Sequence, residues 1–188
     1  MSWAEQALLP IASEAFIGLG SNLSMQGIGN PVDILRQALQ RISALPHTQL
    51  TQWSSTYESD PLPGSGTSQS QYANAVCAVA TRLTPKALLT SLQAIEHDFG
   101  RVRAGHRWTS RTLDLDLLLF DDQKLDDPEL TIPHYAMLTR NFVLIPLLEI
   151  SPALRFVDGR PLSDMPAAKD RKGLVLIKRF TSKELALV

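Results

Sequence analysis

Two aspartates stand two residues apart in a segment that otherwise has the composition of a buried strand. The segment is RTLDLDLLLF, residues 111–120, and its carboxylates belong to Asp114 and Asp116. Because side chains alternate across a strand, both carboxylates are predicted to share one face. The opposite, helix-covered face is predicted to hold the intervening leucines: Leu113, Leu115, Leu117 and Leu119. Carboxylates about 7 Å apart along a strand can bind a pair of magnesium ions, whereas without a cation they repel each other.

The residues before this strand favour a polyphosphate ligand over the alternative, in which both aspartates are solvated side chains on an exposed sheet face. Residues 100–112 contain no acidic residue but hold Arg101, Arg103, Arg107 and Arg111. Guanidinium groups bind phosphate oxygens in a bidentate manner and magnesium bridges phosphates, so the combination suits a nucleoside triphosphate. Gly105 would allow this segment to close over a substrate. The chain has no Walker A loop and no G-x-G-x-x-G motif, so phosphate binding must depend on side chains and metal.

Four strand-like segments and two helical segments must position these residues. The strands are predicted at residues 15–20, 47–57, 72–83 and 113–120. The helices are predicted to begin at Asn30 and Thr84, each followed by a first-turn proline, and to end near Pro46 and Gly100. The order β-α-β-β-α-β predicts a ferredoxin-like α+β fold, an antiparallel sheet with both helices on one face. The other face is left free for a ligand or for later elements.

Length and composition predict one globular domain in a reducing compartment. The chain has 188 residues, of which 44% are hydrophobic, a net charge of −1 and a sequence pI of about 6.4. No overall field therefore recruits nucleic acid or an acidic membrane. Its single cysteine, Cys77, excludes an internal disulfide, and apolar runs of about ten residues are too short to span a bilayer. We expect a cytoplasmic monomer that acts on small molecules.

The domain itself is predicted to span residues 15–160. Residues 1–14 are an N-terminal extension, and residues 161–188 are a peripheral C-terminal segment of the same domain. Between them, residues 138–150 are predicted to form a further helix, which Pro146 interrupts.

The chain resembles the 6-hydroxymethyl-7,8-dihydropterin pyrophosphokinases (2-amino-4-hydroxy-6-hydroxymethyldihydropteridine diphosphokinases) of folate biosynthesis. The resemblance runs from about Phe16 to Gly159 and is carried by FIGLGSNL, QYANAV, GRVRAGHRWTSRTLDLDLLLF, LTIPHYAMLTRNFVL and PLLEISP. R-W-x-x-R-T-L-D-L-D followed by P-H is its most specific part. The resemblance implies the same ferredoxin-like fold, transfer of pyrophosphate from ATP to the pterin hydroxymethyl group with release of AMP, and two magnesium ions.

The resemblance also implies roles for particular residues on the ATP side. Asp114 and Asp116 match the magnesium ligands, Arg101 and Arg111 match arginines that support transfer, and Asp116 also helps to deprotonate the hydroxyl. The positions that match the surroundings of ATP are Gln93, Glu96, Arg103, Arg107, Trp108, Arg111, Leu117, Thr131, His134, Tyr135 and Arg140.

On the acceptor side, the positions that match the pterin pocket are Ser59, Leu62, Tyr72, Asn74, Trp108 and Phe142. Phe142 and Tyr72 are expected to stack on opposite sides of the ring. Asn74 carries both a donor and an acceptor, which the lactam edge of a pterin demands. Trp108 resembles a residue of the mobile loop that helps to close the site. Asp60 departs from the family, which commonly has proline there, and this change bears on the rigidity of the loop.

Two other functions are compatible with parts of the pattern. A metal-dependent nucleotidyltransferase can also combine a Gly-Ser element with a D-x-D strand, but nothing in the sequence supplies an obvious acceptor site for it. A non-catalytic RNA-binding module could use RVRAGHRW, residues 101–108, on an open sheet. The near-zero net charge argues against this module, as does an aspartate pair that would repel phosphate without metal.

Overall fold

The computed structural model describes residues 8–61, 70–100, 112–156 and 158–185. The strands are β1 (Leu8–Ser21), β2 (Thr48–Trp53), β3 (Thr56–Ser59), β4 (Tyr72–Leu83), β5 (Asp114–Phe120), β6 (Leu125–Asp126), β7 (Thr131–Ile132) and β8 (Leu174–Lys178). The helices are α1 (Pro31–Ser43), α2 (Pro85–Asp98), α3 (Asn141–Ile150) and α4 (Pro166–Lys169), and short 3-10 turns cover Met137–Thr139 and Leu162–Asp164.

Within the described ranges, six strands form one antiparallel sheet in the order β5-β1-β4-β3-β8, and β2 also pairs with β4. β6 and β7 form a separate two-stranded ribbon. Through β5 the elements follow the predicted β-α-β-β-α-β order, except that the strand predicted at residues 47–57 is divided into β2 and β3, both of which pair with β4. The predicted ferredoxin-like α+β fold is confirmed. The C-terminal segment contributes more to this sheet than its composition suggested, because β8 pairs with β3 and becomes an edge strand.

Local capping explains where the two large helices begin. The side chain of Asn30 accepts hydrogen bonds from the backbone N–H groups of Val32 (2.9 Å) and Asp33 (3.1 Å), and the Asp33 carboxylate accepts one from Asn30 N. Thr84 caps α2 through one hydrogen bond, which its Oγ1 accepts from the N–H of Ala87 at 3.3 Å. Gly100 ends α2 with a φ of +76°, which glycine adopts without strain. Both predicted helix starts are confirmed.

Hydrophobic side chains cover both faces of the sheet. α1 and α2 pack on one face, where Ile17, Leu39 and Leu88 are fully buried. α3 packs on the other face, where Leu144 and Leu147 are fully buried. The face opposite α1 and α2 is therefore only partly open. No helix within the described ranges is long and apolar enough to cross a membrane.

The predicted leucine face of β5 is correct for Leu113, Leu115 and Leu117, which pack under α1 and α2, but wrong for Leu119. Leu119 packs on the α3 side. Its neighbours in β1 show why, because Ile17 pairs with Leu117 while Phe16 pairs with Leu119. Leu118, which lies between Leu117 and Leu119, has no pairing partner in β1. This β-bulge reverses the alternation of side chains beyond it.

The helix predicted at residues 138–150 is shorter in the structure. It begins at Asn141, after the 3-10 turn, and Pro146 lies within it as a buried residue rather than as a break. This arrangement brings Arg140 and Phe142 to the beginning of α3, beside the sheet face that carries the two aspartates.

Candidate active site

Three neighbouring strands carry the candidate site on the sheet face opposite α1 and α2. In one cross-strand row, Asn74 of β4 pairs with Gly20 of β1, and Gly20 pairs with Asp114 of β5. In the next row, Gly18 stands between Val76 and Asp116. Since adjacent strands are about 4.8 Å apart, Asn74 and Asp114 are separated by roughly 10 Å. Because Gly18 and Gly20 have no side chains, β1 contributes no side chain to the space between Asn74 and Asp114, the glycine interval.

Asp114 and Asp116 lie on this face, as the alternation of side chains predicted, and both are partly exposed. The side chain of Asp116 is 38% exposed, and its Oδ2 lies 3.9 Å from Nε2 of His134. Carboxylate oxygens in such a position can reach a ligand or a cation from solvent while their backbone is fixed in the sheet.

The outer edge of β5 is held by groups that are not strand residues. Oε1 of Glu96 accepts a hydrogen bond of 2.7 Å from the N–H of Leu115, the residue between the two aspartates. The backbone N–H of His134 donates to the carbonyl of Leu118 at 2.9 Å. Glu96 is only 2% exposed. The structure therefore places it behind the aspartate strand, where it fixes the strand's position.

A cavity of about 270 Å³ opens beside Asp116. Leu117, Thr131, His134 and Tyr135, which the sequence analysis assigned to the surroundings of ATP, all line it. Its remaining lining residues were not anticipated from the sequence: Leu89, Leu115, Pro128, Glu129 and Leu130. Thr131 lies in the small β6–β7 ribbon, so this ribbon forms one wall of the cavity.

His134 is neutral at physiological pH. Burial, together with the nearby positive charge of Arg140, lowers its pKa to about 4, although the charge of Asp114 opposes both effects. Its Nδ1 accepts a hydrogen bond of 3.4 Å from the N–H of Ala136, so Nε2 carries the proton and faces Asp116. The ring also packs against Tyr135, with the ring centroids 4.7 Å apart.

Asn74 anchors the other end of the row. It is 5% exposed, and its Nδ2 donates to Ser59 Oγ (3.0 Å), Tyr72 O (3.2 Å) and Tyr57 O (3.4 Å). These bonds fix the side-chain amide, and its Oδ1 lies 3.8 Å from the position that a Cβ on Gly20 would occupy. The amide oxygen is thereby directed toward the glycine interval.

Phe142 lies in the first turn of α3 and packs against the buried cluster on the same sheet face. Cζ of Arg140 lies 5.8 Å from the centroid of its ring. Tyr72 begins β4, pairs with Ser59 of β3 and is half-buried. The structure thus places Ser59, Tyr72 and Asn74 at one end of the β3–β4 pair.

Sequence comparison identifies the family. The model of the family described as 7,8-dihydro-6-hydroxymethylpterin-pyrophosphokinase (HPPK) matches residues 16–152. The chain belongs to this family. The enzyme named 2-amino-4-hydroxy-6-hydroxymethyldihydropteridine pyrophosphokinase from Pseudomonas aeruginosa is 45% identical over 159 residues, which are 85% of this chain and 93% of that protein. The Haemophilus influenzae enzyme of the same name is 44% identical over 151 residues, 80% of this chain and 89% of that protein.

Structural comparison agrees on the fold. The crystal structure of Plasmodium falciparum HPPK-DHPS A437G with pteroate has a TM-score of 0.62 and 16% sequence identity. The match covers 82% of this chain and 40% of that one. At this level of identity, the likeness concerns the fold alone.

Several predicted residues of this HPPK chain lie outside the described ranges: Leu62, Arg101, Arg103, Arg107, Trp108 and Arg111. Among those within the ranges, Gln93 is half-buried on α2. The cavity residues that were missed come from α2 (Leu89) and from the segment just before Thr131 (Pro128, Glu129 and Leu130), apart from Leu115, which was predicted only as a core residue of β5. Leu89 could have been found from the apolar stripe of α2, whereas no local signal marks the segment before Thr131.

Proposed function

We propose that this chain transfers pyrophosphate from ATP to 6-hydroxymethyl-7,8-dihydropterin, giving AMP and the pterin diphosphate, in folate biosynthesis. Family membership supports the reaction, since the curated relatives carry its name. The observation that carries the assignment of the site is the cross-strand row Asn74–Gly20–Asp114. An amide suited to a heterocycle and a carboxylate suited to a metal-bound phosphate face the same shallow interval.

Asp114 and Asp116 are the proposed magnesium ligands. They offer carboxylate oxygens, the donors that magnesium prefers, from one partly exposed strand face. Among the described residues, no group of three or more His, Cys, Asp or Glu side chains could hold a metal ion. This donor set fits magnesium, which usually binds through one or two carboxylates together with substrate phosphates. Asp114 and Asp116 would hold two such ions, which would supply positive charge that neutralises the phosphates of ATP.

The nucleotide is proposed to occupy the cavity beside Asp116. Leu89 and Leu117 supply apolar surface for a base, while Thr131 and Glu129 supply oxygen atoms. Because His134 is neutral, its Nε2–H is a hydrogen-bond donor toward the phosphate side without adding a charge. The arginines of residues 101–111 are proposed to close over the phosphates, with Gln93 and Arg140 at the periphery.

The acceptor is proposed to lie against Asn74, with its ring between Tyr72 and Phe142. Ser59 supports this arrangement by holding the Asn74 amide. Leu62 and Trp108 are proposed to complete the pocket. Because Ser59, Tyr57 and Tyr72 accept the hydrogen bonds of the Asn74 Nδ2, its Oδ1 is left as an acceptor. Stacking between aromatic rings together with this fixed oxygen selects a flat heterocycle with a hydrogen-bond donor on one edge.

In the proposed reaction, the hydroxyl oxygen of the acceptor forms a bond to the β-phosphorus of ATP. The bond between this phosphorus and the oxygen that bridges it to the α-phosphorus breaks, and AMP leaves. Asp116 is the proposed acceptor of the hydroxyl proton. Arg101 and Arg111 are proposed to stabilise the charge that develops on the phosphates, since positioning and electrostatics supply most of the catalysis in phosphoryl transfer.

Product analysis tests this function. Incubation of the chain with ATP, magnesium chloride and 6-hydroxymethyl-7,8-dihydropterin, followed by nucleotide chromatography, is expected to give AMP and pterin diphosphate in equal amounts. Chelation by EDTA should stop the reaction and added magnesium should restore it. ADP as the main product would indicate an ordinary kinase, pyrophosphate without pterin diphosphate a nucleotidyltransferase, and no turnover a binding module. The monomeric state and the cytoplasmic location remain predictions.

A further inference from the structure

Gly20 occupies a position where the fold itself gives no reason for glycine. It pairs on both sides within the sheet, with Asn74 and with Asp114. Glycine in a strand is destabilising relative to alanine, because the unfolded chain gains more conformational freedom and the strand loses a side chain that could pack. A glycine there therefore needs another explanation.

Neither backbone conformation nor crowding supplies that explanation. Gly20 does not adopt a positive φ, in contrast to Gly29, whose φ is +127° and whose Cβ would lie 2.5 Å from a carboxylate oxygen of Asp33. A Cβ on Gly20 would meet its nearest described neighbours at 3.8 Å (Asn74 Oδ1) and 4.0 Å (Asp114 Cβ), which is ordinary van der Waals contact.

Gly18, two residues earlier on the same strand face, differs in this respect. A Cβ at Gly18 would lie 3.4 to 3.6 Å from three carbons of the Leu118 side chain. Leu118 belongs to the buried cluster under α3, so the space above Gly18 is filled by the protein. The space above Gly20 is bordered by an amide oxygen and a carboxylate instead.

We propose that Gly20 is a specificity-determining residue that leaves the interval between Asn74 and Asp114 open for the reacting arm of the acceptor. This inference rests on the proposed function. The acceptor must reach from the Asn74 amide to the aspartates, roughly 10 Å away across two strand spacings. A flat ring that follows the sheet surface over this distance passes directly above Gly20. A methyl group there would lift the ring and move its hydroxyl away from the phosphate.

The test is the Gly20→Ala variant of the full chain. Binding of 6-hydroxymethyl-7,8-dihydropterin should weaken about tenfold or more, and kcat should fall by up to about 100-fold, because a displacement of about 1 Å can have this effect. The KM for ATP should stay within about twofold. The midpoint of thermal unfolding should be unchanged or higher, since alanine restricts the unfolded chain. Gly20→Ser, of similar size but polar, should behave in the same way.

Gly18→Ala is the matched comparison. Its methyl group would meet the Leu118 side chain in ordinary van der Waals contact, so we expect an unfolding midpoint close to or above the parental one and a smaller effect on acceptor binding than in Gly20→Ala. If the parental chain makes no AMP and pterin diphosphate, the proposed function fails. If the parental chain is active and Gly20→Ala keeps the parental acceptor affinity and kcat, the inference about Gly20 fails. Loss of folding in Gly20→Ala would also overturn it, because the structure has room for the methyl group.

Discussion

A hydrogen-bonded carboxylate on α3 offers a quantitative test of how the acceptor side is held together. Glu149 accepts three hydrogen bonds from the β2–β3 segment. Ser55 Oγ donates to Oε1 at 2.7 Å, while Ser55 N and Tyr57 OH donate to Oε2 at 3.1 and 2.8 Å. α3 carries Phe142 at its other end, and the carbonyl of Tyr57 accepts a hydrogen bond from Asn74. Glu149 thus joins the element that carries the stacking ring to the strand that supports the amide.

The structure gives the expected magnitudes. Hydrogen bonds to charged groups contribute about 1.5–3 kcal/mol each, so Tyr57→Phe should lower the free energy of unfolding by about 2 kcal/mol. For a chain of this length, that loss corresponds to a decrease in Tm of about 4–8 °C. Glu149→Gln should cost about 1–3 kcal/mol, because an amide has one acceptor oxygen and turns an N–H group toward a donor, while solvent reaches the Glu149 side chain and limits the loss.

Urea unfolding of the parental chain, both single variants and the double variant measures the coupling between the two side chains. We expect the double variant to lose about 1–2 kcal/mol less than the sum of the single losses, because both changes remove the same hydrogen bond. Acceptor KM should rise in both single variants more than the KM for ATP. Additive losses, or a Tyr57→Phe cost below about 0.5 kcal/mol, would refute the role assigned to Glu149.

Three further predictions concern the aspartates, the amide and pH. Asp116→Asn should reduce turnover by at least about 100-fold while leaving the circular dichroism spectrum unchanged, since the side chain is partly exposed and its strand is held through the backbone; near-parental turnover over a range of magnesium concentrations would count against the metal assignment. Asn74→Ala should weaken acceptor binding by about 10- to 100-fold in calorimetry, the range expected for loss of an oriented hydrogen-bonding group, while ATP affinity stays close to parental; an equal loss for both ligands would argue against its position in the pterin pocket. Burial and the hydrogen bond to Glu149 raise the pKa of Tyr57 to about 12 from its ordinary value near 10, so the stability from this protonated phenol should be present below pH 10 and lost as the pH rises toward 12. Denaturation curves of Tyr57→Phe should show a smaller decline in that range, and an identical decline would contradict the prediction.

Local signals in the sequence were sufficient for the helices and for the aspartate face. Asn30 and Thr84 start helices because their side chains bond the first free N–H groups, a contact made within three residues. The alternation around Asp114 and Asp116 likewise depends only on neighbouring residues. Leu119 was assigned to the wrong face because its orientation depends on a bulge opposite β1, and a bulge is a property of strand pairing.

Contacts between distant segments account for what the sequence could not provide. β8 joins the sheet through pairing with β3, more than a hundred residues earlier, and its composition alone did not reveal this. From the sequence alone, the charged residues Glu96 and Glu149 would be expected to point into solvent. In the structure, each accepts hydrogen bonds from another element. The residues of the cavity, such as Thr131 and His134, were assigned through the family resemblance, since no pattern within β6–β7 marks a ligand site.

In the proposed reaction, the site presents the β-phosphorus of ATP to the acceptor hydroxyl, so that two phosphates move together. The most direct measurement uses ATP labelled in turn at the α-, β- and γ-phosphorus, with the product pterin separated and its label counted. The β and γ labels should both appear in the pterin product in equal amounts, and the α label should stay in AMP. Transfer of the γ label alone, or of the α label, would contradict the proposed reaction.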